Sequence, residues 1–158
     1  ATGTFIMIAN DDDYWDRHYI QILHEQSIRE PNFDLYFSNG YFVNEKNHFS
    51  GKQLNIDIGE RMSIDLGFYE NSLYFFENRF PLPLMFGLFR KDSFFENLPF
   101  QNFDLNNANV ENLFLFKFLL SGNRLFYVNQ TLHFYRLRDR SISSEAFLAN
   151  FSSSDLMV

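Results

Sequence analysis

The chain has 158 residues, 46% of them hydrophobic and 21% charged, and carries a formal net charge of −7. That length and balance suit one domain with a substantial core and exclude a disordered or fibrous chain. An acidic chain without a Lys/Arg cluster is a poor partner for nucleic acid. The absence of cysteine excludes disulfides, thiolate zinc sites and thiol catalysis, and fits a reducing compartment.

The apolar run at residues 5–9 is short and predicts a strand buried on both faces. It runs into Asn10-Asp11-Asp12-Asp13. Asp13 then reads as the cap of a helix, with Trp15, Tyr19, Ile22 and Leu23 on one face and Pro31 closing the segment. Residues 33–37 and 41–43 are extended around Ser38-Asn39-Gly40, as a hairpin or as one bent strand. Residues 44–63 read as a polar loop, and residues 66–76 as a short helix. Phe80-Pro81-Leu82-Pro83 should be extended, because each proline disfavours helix in the residue before it. Residues 84–89 read as a second buried strand, in which Gly87 marks a place where backbone or ligand comes close.

Ser93 and Glu96 have the spacing of a capping box and predict a short helix. Residues 110–121 predict a helix capped by Asn109 and ended by Gly122. It is apolar nearly all round, which predicts burial between layers. Residues 125–128 and 132–135 read as two short strands. Strands alternating with helices indicate an α/β domain with a mixed sheet over residues 1–144, followed by a Ser-rich tail over 145–158. No apolar run approaches the roughly 18–20 residues of a membrane span.

Three constellations can carry chemistry. The first is the acidic stretch from Asn10 to Asp13, at the carboxyl end of a strand, where open α/β sheets bind ligands. Its hard oxygens suit Mg²⁺ or Mn²⁺; they also suit a solvated helix start. The second is Glu111-Asn112, where Glu111 reads either as a general base or as an acid placed well at a helix N-terminus. The third is Arg136, Arg138 and Arg140, which can clamp a diphosphate or balance local acids at the surface. His18 and His24 lie six residues apart and read as exposed helix residues. His133 is either a strand histidine satisfied locally or a group that approaches a site. A phosphate loop and a serine-hydrolase elbow are both missing from the sequence.

The order of the motifs is more specific than any one of them. The acidic strand end (Asn10-x-Asp12-Asp13-Tyr14-Trp15) precedes the extended Tyr36-Phe37-Ser38-Asn39-Gly40-Tyr41. Phe80-Pro81-Leu82-Pro83 and Leu88-Phe89-Arg90-Lys91 follow. Next come Asn109-Val110-Glu111-Asn112-Leu113, Ser121-Gly122-Asn123, and Tyr135-Arg136 before Ser141-Ile142-Ser143. Over residues 1–144 this series resembles the family-2 inverting glycosyltransferases of the GT-A fold.

The resemblance implies an incomplete GT-A, Rossmann-like domain that lacks the βα units holding the nucleotide. Its parent would transfer a sugar, with inversion, from a nucleotide diphosphate-sugar to a glycan or lipid-linked acceptor in polysaccharide biosynthesis. It implies Asp12 as the ligand of Mn²⁺ or Mg²⁺, with Asn10 and Asp13 in support. Glu111-Asn112 falls on the family's Glu-Asp pair, which supplies the base; Asn112 cannot act as one. Arg136 falls on the family's late Tyr-Arg, with Arg138 two residues on where a His is usual. The implied location is the cytoplasm, at the inner membrane face. The missing front half predicts an unpaired edge beside the opening strand, and a homodimer through it. The rival expectation is a degenerate glycan-binding or assembly module of the same fold.

Overall fold

The computed structural model describes residues 2–44, 46, 48–53, 82–98 and 110–136. In chain order the elements are β1 (Phe5–Met7), β2 (Tyr14–Trp15), α1 (Tyr19–Arg29), β3 (Leu35–Val43) and β4 (Phe49–Gln53). There follow α2 (Leu82–Met85), β5 (Leu88–Arg90), α3 (Lys91–Asn97), α4 (Val110–Leu120) and β6 (Leu125–Arg136). The expected helix at residues 66–76 and the tail from residue 145 lie outside the described residues.

The strands form one sheet in the order β1-β5-β3-β6-β2, with β4 also paired to β3. β3 and β6 run parallel; the other pairs are antiparallel. This is the mixed α/β architecture expected, consistent with a partial Rossmann-like domain.

Side chains alternate across the sheet with the two-residue period of a strand. Leu35, Phe37, Phe89 and Leu125 face a cluster with Leu84, Met85, Phe94, Phe114, Leu115, Phe118 and Leu119 from α2, α3 and α4. Tyr36, Leu88, Val128 and Leu132 face the opposite way, onto Tyr19 and Leu23 of α1 and onto Phe33. β1 divides in the same manner: Ile6 packs on the first cluster, and Phe5 and Met7 on the second. Helices therefore cover both faces.

Several local expectations are corrected. β1 is shorter than residues 5–9 and only half-buried. It ends the sheet, pairing with β5 and, among the described residues, with no other strand. Trp15, expected on α1, belongs to β2, where Tyr14 and Trp15 lie opposite Phe134 and His133. Cross-strand stacking favours that placement, with Tyr14 at 4.8 Å from Phe134 and Trp15 at 5.5 Å from His133. The helix starts later, at Tyr19, so that His18 and not Asp13 stands at the N-cap position, without a side-chain cap bond. Asp16 shapes this entry: its carboxylate accepts the His18 N–H (2.8 Å) and its carbonyl the Tyr19 N–H (2.9 Å).

Residues 33–43 make one strand from Leu35, not a hairpin. Residues 125–136 likewise make one strand and not two. β6 has 12 residues where β3 has 9, and the register slips between Ser38 and Gly40 to absorb the excess.

Leu82-Pro83, expected extended, opens the helical turn α2. Proline is tolerated in a first turn because its missing N–H would have no partner there. The buried run 84–89 is thus part turn and part strand; apolar continuity alone does not separate the two. Gly87 does sit at a close approach: a Cβ there would lie 2.5 Å from Leu35 Cδ1 and 2.8 Å from the Tyr36 carbonyl oxygen.

α3 begins at Lys91, so Ser93 lies inside the helix and does not cap it. Its hydroxyl donates instead to Asp34 Oδ1 at 2.7 Å. α4 ends as expected on Gly122 with φ of 77°, whose N–H bonds the Leu119 carbonyl at 3.0 Å. α4 is not enclosed all round. Phe114, Leu115, Phe118 and Leu119 are buried, whereas Leu113, Phe116 and Leu120 face solvent. Among the described residues no helix is long and apolar enough to cross a membrane.

Candidate functional site

The sheet topology brings the acidic loop to the far end of β6. β2 follows that loop directly and pairs with residues 133–134, so Asp13 is set beside the last residues of β6. Asp13 Oδ1 accepts the Arg136 N–H at 2.9 Å, across a sequence separation of 123. Its other oxygen lies 3.4 Å from His133 Nε2 and 3.5 Å from Asn10 Nδ2. The Asp13 and His133 side chains are each 1% exposed.

The ring of His133 is held between Trp15, at 5.5 Å and 24°, and Phe86, at 4.6 Å and 41°. Among the described residues neither of its nitrogens makes a hydrogen bond, and Trp15 Nε1 and Arg136 Nε are likewise buried without one. The Arg136 guanidinium lies over the Tyr14 ring, 5.9 Å from its centre. Among the described residues these four buried polar atoms make no hydrogen bond, although His133 Nε2 keeps its 3.4 Å contact with Asp13; such atoms are uncommon because each forfeits its hydration without a return bond.

Beneath this corner the Tyr19 hydroxyl donates to the Phe86 carbonyl at 2.7 Å. Burial pushes its pKa well above the usual value, and the neighbouring Ser38 side chain opposes that only in part. Tyr36 is also raised, chiefly by burial, with the charge of Arg90 pulling the other way.

The residues singled out from sequence therefore divide. Asn10, Asp13 and Arg136 come together. Asp12 is half-buried between Asn10 and Asp13, and Asp11 is exposed. Glu111 and Asn112 open α4, but their side chains, like all of Arg138, lie outside what the structure describes. His133 and Trp15 join the site. Only the aromatic pair directly after the aspartates hinted at Trp15. Nothing in the local spacing ties His133 to the acidic loop.

Asn10 and Asp12 offer hard oxygen donors of the kind Mg²⁺ or Mn²⁺ takes. Among the described residues no three His, Asp or Glu side chains are grouped to hold a metal ion.

No protein-family model matches the sequence. The chain is 24% identical over 147 residues to the glycosyltransferase GlyA of Streptococcus pneumoniae serotype 4. That similarity covers 90% of this chain and 20% of the relative, so the chain spans about a fifth of the curated protein it matches. It is a distant likeness to a glycosyltransferase, running through nearly all of the elements described above.

Proposed function

We propose that this chain is part of a glycosyltransferase that moves a sugar from a nucleotide diphosphate-sugar to a glycan or lipid-linked acceptor, with inversion. One observation carries the reading: the Asp13–Arg136 contact joins the acidic strand end to the late Tyr-Arg. These are the two segments such an enzyme needs around a diphosphate, and they are distant in sequence. The similarity to a curated glycosyltransferase supports it.

In this reading Asp12 is the carboxylate that meets Mn²⁺ or Mg²⁺, with Asn10 beside it and Asp13 holding the loop in place behind them. The ion, when bound, neutralises charge on the departing diphosphate. Arg136 and Arg138 contact that diphosphate from the end of β6. Glu111, at the first turn of α4, takes the acceptor proton. Asn112 has no basic oxygen and can only orient.

The test is Mn²⁺ binding to the purified chain, with and without uridine diphosphate, compared with Asp12→Asn. Loss of Mn²⁺ binding in the variant supports the assignment; unchanged binding removes Asp12 from the site. Asn112 favours the second reading, a non-catalytic glycan-binding or assembly module. Sugar release from a panel of nucleotide-sugars by the longest encoded chain decides between the two. The proposal includes a second copy of the chain pairing along the outer edge of β1. Sedimentation at high concentration checks it, and a strictly monomeric profile rejects it.

A further inference from the structure

We propose that Asp13, bonded to the Arg136 N–H and lying beside His133, forms a buried latch between the acidic loop and β6, and acts as a positioning residue behind Asp12 and not as a ligand itself. The proposal rests on the transferase reading for its purpose, though not for its geometry.

The Asp13 carboxylate is enclosed. One oxygen is committed to the Arg136 N–H at 2.9 Å, and the other faces His133 Nε2 at 3.4 Å and the Asn10 amide at 3.5 Å. With its side chain 1% exposed, it presents no face to the solvent from which an ion and its donor arrive. A buried carboxylate is costly unless its charge is answered, and here the Arg136 N–H and the Asn10 amide do so.

His133 is just as confined. Trp15 and Phe86 fix its plane, and Tyr135 meets its edge at 6.4 Å. Trp15 lies directly opposite His133 in the β2–β6 register, so ring and loop are placed by the same strand pair. The ring nitrogens nevertheless lack hydrogen bonds. An apolar residue would fill this corner at less cost in desolvation. An imidazole facing a carboxylate there is better explained by a role in orientation than by one in stability. The latch holds the Asp13 side chain against the backbone of residue 136. It thereby sets Asp12 and the Arg136 side chain at a fixed spacing, as outer partners of a metal site do for its ligands.

The test uses the whole chain with three variants: Asp12→Asn, Asp13→Asn and Asp13→Ala. Two quantities are read, Mn²⁺ affinity by calorimetry and hydrogen exchange at the Arg136 amide. Asparagine at position 13 keeps an oxygen for the Arg136 N–H. Asp13→Asn should therefore bind Mn²⁺ nearly as the parent does and keep that amide protected. Asp13→Ala should lose about 10-fold or more in Mn²⁺ affinity and unprotect the amide. If Asp13→Asn loses Mn²⁺ as fully as Asp12→Asn does, Asp13 is a ligand and the proposal fails. Equal protection of Arg136 in Asp13→Ala also defeats it. If the parent chain binds no Mn²⁺, the transferase reading fails by itself, and exchange at Arg136 alone decides whether the latch exists.

Discussion

Two regions of the molecule, the core under α2–α4 and the corner where the acidic loop meets β6, are built on opposite terms. On the α2–α4 side the core is hydrocarbon and ring. Phe89 meets Phe94, Phe114 and Phe118 at 5.3–5.6 Å, each near edge-on, which suits aromatic quadrupoles. At the corner where the acidic loop reaches β6, rings are just as dense but polar atoms lie among them without partners. Close packing accounts for the first region completely. It does not account for the second, where an all-apolar corner would cost less. In the proposal above, the buried polar groups of this corner serve to place the acidic loop and not to add stability.

The contrast can be broken first on its apolar side. Phe118→Ala removes a fully buried ring and should cost about 3–5 kcal/mol, read by chemical denaturation. Gly87→Ala drives a methyl group against Leu35 and the Tyr36 carbonyl and should cost about 1–3 kcal/mol.

Tyr19→Phe removes the bond to Phe86 and leaves that carbonyl buried and bare, a loss of about 1–2 kcal/mol. It also changes the alkaline limb. The unfolded chain releases the Tyr19 proton near pH 10, while the folded protein holds it to higher pH. Stability is therefore full below pH 10 and falls as pH rises above it. Tyr19→Phe should make that fall shallower, and Tyr36, also raised, should keep part of it.

Trp15→Phe sharpens the contrast on the polar side. It deletes an unpartnered N–H, so its cost should stay within about 1 kcal/mol despite the smaller ring. Ile28→Ser, on the exposed side of α1, should move stability by no more than about 0.5 kcal/mol.

The sequence reading succeeded where one element sufficed. The mixed α/β layering, the helix ended by Gly122 and the close approach at Gly87 were all legible from local patterns. It failed where a distant partner decided. Trp15 continues the helical period of Tyr19, Ile22 and Leu23, yet His133 and Phe134 draw it into a strand. Ser93 has the spacing of a cap, yet Asp34 claims its hydroxyl. Asp13 also looked like a cap, because the amide that engages it lies 123 residues further on. At the site, the sequence supplied Asn10, Asp12, Asp13 and Arg136 as candidates but not the inward turn of Asp13 or the confinement of His133.

The parallel pairing of β3 with β6 bears on how the chain is made. Leu35 pairs with Leu125, so the centre of the sheet waits for the last described strand to leave the ribosome. Until then β3 has one long side open and much of its apolar surface uncovered. Pairings between such distant segments form slowly. A nascent chain stalled before Leu125 should therefore be a preferred substrate for chaperones and the most aggregation-prone species in its synthesis.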